Sequence, residues 1–126
     1  MRENIGLYRG KRIDNDEWAI GNLLVFPDLT SYICCPDADD SETLNKYPVD
    51  PETVGECTNL PDKNGMEIFE GDILALNKWK PYYVVKFEDG TFCMVGTAIP
   101  IRHANKFEII GNIYDNPELV KGAADE

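Results

Sequence analysis

Tyr82-Tyr83-Val84-Val85-Lys86-Phe87-Glu88, Asp89-Gly90, Thr91-Phe92-Cys93-Met94-Val95: two runs of aromatic and branched residues flank an Asp-Gly pair. Such runs favour strands, and Asp-Gly takes the positive φ angles that a two-residue reversal needs. The stretch predicts a β-hairpin, and its surroundings repeat the pattern. Upstream, Met66-Glu67-Ile68-Phe69 alternates, and Glu70-Gly71-Asp72 turns the chain into Ile73-Leu74-Ala75-Leu76. Leu60-Pro61-Asp62-Lys63-Asn64-Gly65 reads as a further turn. Downstream, residues 98–104 fit either a connector or a weak strand, and Phe107-Glu108-Ile109-Ile110-Gly111-Asn112-Ile113 reads as a last strand. Asn116-Pro117-Glu118-Leu119 has the form of a helix start, with Asn as cap, Pro at the first position and an acid in the first turn. A short C-terminal helix over 117–120 is expected.

The N-terminal part obeys the same rules. Residues 17–26, Glu-Trp-Ala-Ile-Gly-Asn-Leu-Leu-Val-Phe, suit a strand preceded by the polar turn Ile13-Asp14-Asn15-Asp16. Pro27-Asp28 stops it, and Leu29-Thr30-Ser31-Tyr32-Ile33-Cys34-Cys35 offers the antiparallel return. Across residues 36–50 the apolar pattern lapses, which predicts a solvated acidic loop and the one natural place to divide the chain. The expected organisation is one domain over 1–126: a hairpin region at 1–35, the acidic loop at 36–50, a barrel-like part at 51–120 and a tail at 121–126. The expected fold class is mainly β, a small barrel or paired antiparallel sheets. Its C-terminal half reads as SH3-like, because Glu70-Gly71-Asp72-Ile73-Leu74 is followed by a longer connection and a tight hairpin.

Length and composition agree with one ordinary domain of 126 residues, 43% hydrophobic and 28% charged. The net charge of −11 is unevenly spread. Residues 28–52 hold Asp28, Asp37, Asp39, Asp40, Glu42, Asp50 and Glu52 against the single base Lys46, whereas residues 1–20 are balanced. A field of this sign repels phosphate backbones, so nonspecific duplex binding is disfavoured; it fits plain solubility, which is the preferred reading, or a basic partner. Cys34, Cys35, Cys57 and Cys93 form no C-x-x-C pair and read as small core hydrophobes in a reducing compartment. The start, Met1-Arg2-Glu3-Asn4, does not read as a signal peptide, and no run approaches the ~18 apolar residues of a membrane span. A cytoplasmic, non-membrane setting is expected.

Catalytic signatures are scarce. The one histidine, His103, follows Arg102 without a partnering motif and reads as a loop residue. Asp14-Asn15-Asp16 and Asp37-Ala38-Asp39 have the spacing that opens a calcium loop. Their sixth positions are Ala19 and Glu42 instead of Gly, and their twelfth are Val25 and Pro48 instead of Glu. Magnesium between Asp39, Asp40 and Glu42, and an acid–base pair of Glu70 and Asp72, compete with plain solvated-loop and turn roles, which are preferred. No catalytic residue, metal site or cofactor is assigned. The candidate surface is Asn77-Lys78-Trp79-Lys80-Pro81-Tyr82-Tyr83, where Lys78, Trp79, Lys80 and Tyr82 interleave bases with aromatics. Rings stack on bases or on a partner's side chains, and lysines meet phosphates. The competing account, which is preferred, is a sheet edge kept soluble by its lysines, with the aromatics sealing the core. Arg9, Lys11 and Arg12 form a second, shorter basic cluster.

Three blocks then carry a resemblance. Tyr8-Arg9-Gly10-Lys11-Arg12-Ile13-Asp14-Asn15 with Glu17-Trp18 is the first. Val49-Asp50-Pro51-Glu52-Thr53-Val54-Gly55, running on to Asp62-Lys63-Asn64-Gly65 and Ile68-Phe69-Glu70-Gly71-Asp72-Ile73, is the second. The third is Ile110-Gly111-Asn112-Ile113-Tyr114-Asp115-Asn116-Pro117-Glu118-Leu119. In this order they resemble the YopX family over nearly the whole chain, with Asp16 standing where Gly is expected and Glu56-Cys57 and Pro61 departing between the middle motifs. The resemblance implies a mostly β protein encoded by a bacteriophage or prophage and acting in a bacterial cytoplasm, of a family without an established activity. The expectation is a non-enzymatic binding or assembly module that meets a host or phage protein, or a second copy of itself. The alternatives are a single-stranded nucleic-acid binder using the Lys78–Tyr82 surface and a metal-dependent hydrolase using Asp and Glu.

Overall fold

The computed structural model describes residues 7–37, 39–40 and 42–120. The first six residues, residues 38 and 41 of the acidic stretch, and the tail expected at 121–126 lie outside them. The described chain is mainly β, in two antiparallel sheets ordered β4-β3-β2-β1-β5-β6 and β10-β7-β8-β9. It falls into two compact units, Met1–Cys57 and Thr58–Glu126. The division lies inside a strand, β5 (Gly55–Pro61), and not in the acidic stretch where the sequence suggested it.

In the first unit β1 (Leu7–Lys11), β2 (Trp18–Val25), β3 (Ser31–Pro36) and β4 (Leu44–Val49) run as an antiparallel meander, and the start of β5 lies against β1. The expected hairpin is β2–β3, with Leu23 opposite Ile33 and Leu24 opposite Tyr32. β4 corrects the expectation of a loop over 36–50: residues 44–49 form a strand. Pro48 fits within this strand because β4 pairs with β3 at the margin of the sheet, where a missing N–H is tolerated. One face is the core, with Ala19, Ile33 and Val49 buried and Tyr8, Leu23, Tyr47 and Val54 packed on them. Gly21 is required by close packing, because a Cβ there would strike the carbonyl oxygen of Cys34.

The far end of β4 returns to the end of β1. Arg12 stands opposite Val49, Ile13 N–H donates to Pro48 O at 3.0 Å, and Asp50 N–H donates to Lys11 O at 2.9 Å. The seam goes no further for two reasons. Pro48 has no N–H to return the bond, and Lys11 N–H is diverted to Thr53 Oγ1 at 2.8 Å. Two hydrogen bonds do not make a ladder, and the expected barrel is not closed.

In the second unit the end of β5 lies beside β6 (Glu67–Phe69), and Thr58 Oγ donates to Ile68 O at 2.8 Å. β7 (Asp72–Ala75), β8 (Tyr83–Glu88), β9 (Thr91–Val95) and β10 (Glu108–Asn112) form the four-stranded sheet. The β8–β9 hairpin has the predicted turn, with Asp89 at φ 52° and Gly90 at φ 81°. β9 and β10 are the outer strands, so this sheet is open as well. Ile68, Leu74, Val85, Met94, Ala104 and Phe107 are the core, with the Tyr83 ring edge-on to Phe107 at 6.0 Å. The undecided segment at 98–104 contributes to a 3-10 turn, Ile101–Lys106, which brings Ala104 into that core. The expected C-terminal helix is only a 3-10 turn, Pro117–Leu119. Asn116 does not cap it; its Oδ1 instead accepts the Asn112 N–H at 3.2 Å, drawing the segment back onto the end of β10.

Asp62 organises the β5–β6 reversal. Its Oδ1 accepts N–H bonds from Asn64 (2.8 Å) and Met66 (2.9 Å), and its Oδ2 accepts that of Ile109 in β10 (3.0 Å). A turn residue thus ties the reversal to the four-stranded sheet.

Candidate functional site

The residues singled out from the sequence fall in both units. Lys78, Trp79, Lys80 and Tyr82 lie between β7 and β8 in the second unit. Asn77 Oδ1 accepts the Trp79 N–H at 2.8 Å, and the Tyr82 hydroxyl donates to Lys78 O at 3.1 Å, which fixes the loop. Trp79 is 69% exposed, with Lys78 Nζ 5.2 Å from its ring centroid. Lys78 and Tyr82 also line a hollow of about 400 Å³ with Lys63, Glu108 and Leu119, in which Lys63 and Glu108 pair at 3.6 Å. Lys80 does not line it.

Arg9, Lys11 and Arg12 belong to the first unit and are engaged there. The Arg9 guanidinium and Lys11 ammonium lie 4.8 and 5.9 Å from the Trp18 ring centroid. Arg12 lies 4.2 Å from the Tyr47 ring and makes a two-point hydrogen bond to Asp14, at 3.0 and 2.7 Å. That bond raises the Arg12 pKa and lowers the Asp14 pKa. Asp14, considered above for calcium, is the partner of an arginine. Among the described residues no three His, Cys, Asp or Glu side chains gather as a metal site. Of the four cysteines expected in the core only Cys57 is buried; Cys34, Cys35 and Cys93 are partly exposed thiols. Burial first, and then its contact with Glu88 at 3.6 Å, raise the Cys93 pKa and disfavour its thiolate.

A third place escaped the sequence reading. Val25 at the end of β2, Leu29 in the following turn and Pro51 in the 3-10 turn Pro51–Thr53 stand around an apolar groove of about 460 Å³. Its other lining residues are Leu23, Ser31, Glu52 and Val54. Leu23 and Val54 rest on the buried Ala19, Ile33 and Val49, so the groove has a packed floor. Leu29 is 70% exposed and Val25 48% exposed. The turn closes through Leu29 N–H to Phe26 O at 2.8 Å and Phe26 N–H to Thr30 O at 3.0 Å. It leaves Leu29 at φ 71°, a left-handed slot that glycine or asparagine ordinarily fills. Leucine there is doubly unfavourable, strained in backbone and wet in side chain. Asp28 beside it is held ionised: the Thr30 hydroxyl, then the Thr30 N–H at 3.0 Å, lower its pKa. Phe26 takes no part in the groove; its ring meets Tyr32 edge-on at 5.6 Å with Lys46 Nζ 5.8 Å away.

The YopX protein family matches residues 7–121 of this chain. The chain belongs to the YopX family. Among solved structures, protein EF1440 from Enterococcus faecalis is similar at 24% identity, over 90% of this chain and 96% of that one, with a TM-score of 0.59. That likeness concerns the fold. No curated protein matches. In this YopX chain the recurrent phrases sit where the backbone is constrained. Asp16, the departure from Gly, is left-handed at φ 61°; Gly65 and Gly71 are at φ 82° and 96°. The Asp50 carboxylate accepts the Glu52 N–H at 3.0 Å and caps the turn that forms one wall of the groove.

Proposed function

We propose that this YopX chain is a non-enzymatic binding or assembly module, encoded by a phage or prophage and acting through protein–protein contacts in the bacterial cytoplasm. We also read its C-terminal half as an opened SH3-like sheet, on the strength of the Glu70-Gly71-Asp72 turn and the tight β8–β9 hairpin. One observation supports the reading above the others: an exposed, left-handed Leu29 at the lip of an apolar groove with a packed floor. Backbone strain combined with exposed apolar surface is a cost to the isolated chain, and burial against a partner would recover it. Light scattering and capture from bacterial lysate test it, with the wild type and Leu29→Asn compared. The expected result is a self-associated species or a captured protein that the substitution removes. A strict monomer that captures nothing, or capture indifferent to Leu29, refutes the reading.

A second reading keeps one specific support. Trp79 is exposed with Lys78 at its ring and Lys80 beside it, the chemistry of a single-strand nucleic-acid contact. Titration of labelled oligothymidylate at low salt tests it, and no binding at high micromolar protein removes it.

A further inference from the structure

Resting on the binding-module reading, we infer that the groove of Leu23, Val25, Leu29, Pro51 and Val54 takes an apolar side chain from a partner segment whose neighbouring residues are Lys or Arg. The first argument is shape and chemistry. The groove is apolar apart from Ser31 and Glu52, and the Ser31 hydroxyl is already donated to Leu29 O at 3.1 Å. A small polar ligand would find little to orient it; an apolar anchor on a chain held by its flanks fits.

The second argument is charge. Glu52 is the one charged side chain among the lining residues, Asp28 precedes Leu29 in the turn, and Asp50 caps the Pro51–Thr53 wall. All three are exposed carboxylates. The only base in residues 28–52, Lys46, lies against Tyr32 at 4.7 Å, and Tyr32 faces away from the groove: it is opposite Leu24, on the sheet face that Leu23 and Ile33 do not share. The wall and the lip of the groove are thus acidic. A second copy seated isologously would bring two acidic rims together, and a nucleic acid would meet carboxylates with its phosphates. A basic-flanked apolar segment satisfies both the groove and the rim.

Three fluorescent decapeptides probe this: one alternating Lys with Leu, one alternating Glu with Leu, and one alternating Lys with Ser. Anisotropy measures affinity, and amide chemical-shift changes locate the site. The inference expects saturable binding of the Lys–Leu peptide, with shifts centred on residues 23–31 and 51–54. The Glu–Leu and Lys–Ser peptides should bind at least tenfold more weakly. Glu52→Gln with Asp28→Asn should erase most of the Lys-over-Glu preference, and Leu29→Asn should weaken the Lys–Leu peptide at least tenfold while the fold persists by circular dichroism. Equal binding of Lys–Leu and Lys–Ser, equal binding of Lys–Leu and Glu–Leu, no binding of Lys–Leu, or shifts elsewhere each overturn it. If the peptides fail while Leu29→Asn still abolishes lysate capture, the basic-partner inference falls and the binding-module reading stands. If capture is also indifferent to Leu29, both fall.

Discussion

Asp62 sits in a turn and is nevertheless almost wholly buried, with both carboxylate oxygens spent on backbone N–H groups. Burial alone is the largest influence on its pKa and pushes it up, but the bonds from Ile109, Met66 and Asn64, with Lys63 adding to them, prevail and hold it below the usual value. A carboxyl with a lowered folded pKa contributes stability that is complete above its unfolded pKa, near 4, and is lost as pH falls through the folded value. Asp62→Asn places an amide NH2 against N–H donors and should cost about 2–3 kcal/mol at pH 7. Urea unfolding from pH 7 to pH 3 checks this: the gap between wild type and variant should narrow below pH 4. Leu29 is the opposite kind of turn residue, stabilising nothing that the described chain shows. Leu29→Asn should raise stability by about 0.5–1 kcal/mol, because asparagine accepts the left-handed slot at lower cost. An unchanged or lowered urea midpoint would contradict that account of the strain.

At the scale of elements, Thr53 joins the groove wall to β1. Its hydroxyl donates to Asp50 O at 2.6 Å and accepts the Lys11 N–H at 2.8 Å. Thr53→Val keeps the shape and removes both bonds, leaving a half-buried Lys11 N–H unpaired at that position; a loss of about 1–2 kcal/mol in denaturant unfolding is expected. Hairpins with their own turn chemistry were legible in the residues: β2–β3, and β8–β9 with its Asp-Gly. Strands whose own residues carry no clear apolar run were not. β1 carries Arg9 and Lys11 among few apolar residues and is defined by β2 and β5. β4 hides behind Pro48 and an acidic approach, and its two inward residues, Tyr47 and Val49, are too few for a pattern to emerge. The Lys78–Tyr82 surface could be read because its residues are consecutive. The groove could not, since residues 23–31 and 51–54 meet only through the curl of the sheet. Its one local sign was a turn, Pro27-Asp28-Leu29, with no glycine in it.

For the whole molecule, charge sets a general tension. A net charge of −11 on 126 residues makes the folded state repel itself, and the two ion pairs seen among described side chains, Arg12–Asp14 and Lys63–Glu108, offset little of it. Added sodium chloride should therefore raise the melting temperature at pH 7 by a few degrees between low and physiological ionic strength, as screening shortens the reach of the repulsion. A melting temperature that falls with salt over that range would mean that attractive pairs dominate instead.

The pair of bonds by which β4 touches the end of β1 has a kinetic consequence. A sheet fastened by so small a clasp can breathe at that place without melting. Opening it sacrifices the Ile13 and Asp50 bonds while the β2–β3 pairing stays intact. In hydrogen–deuterium exchange those two amides should lose protection well before the amides of Leu24 and Tyr32, a hydrogen-bonded pair of the β2–β3 ladder. Each such opening would loosen Asp50, and with it the wall against which a visiting side chain rests.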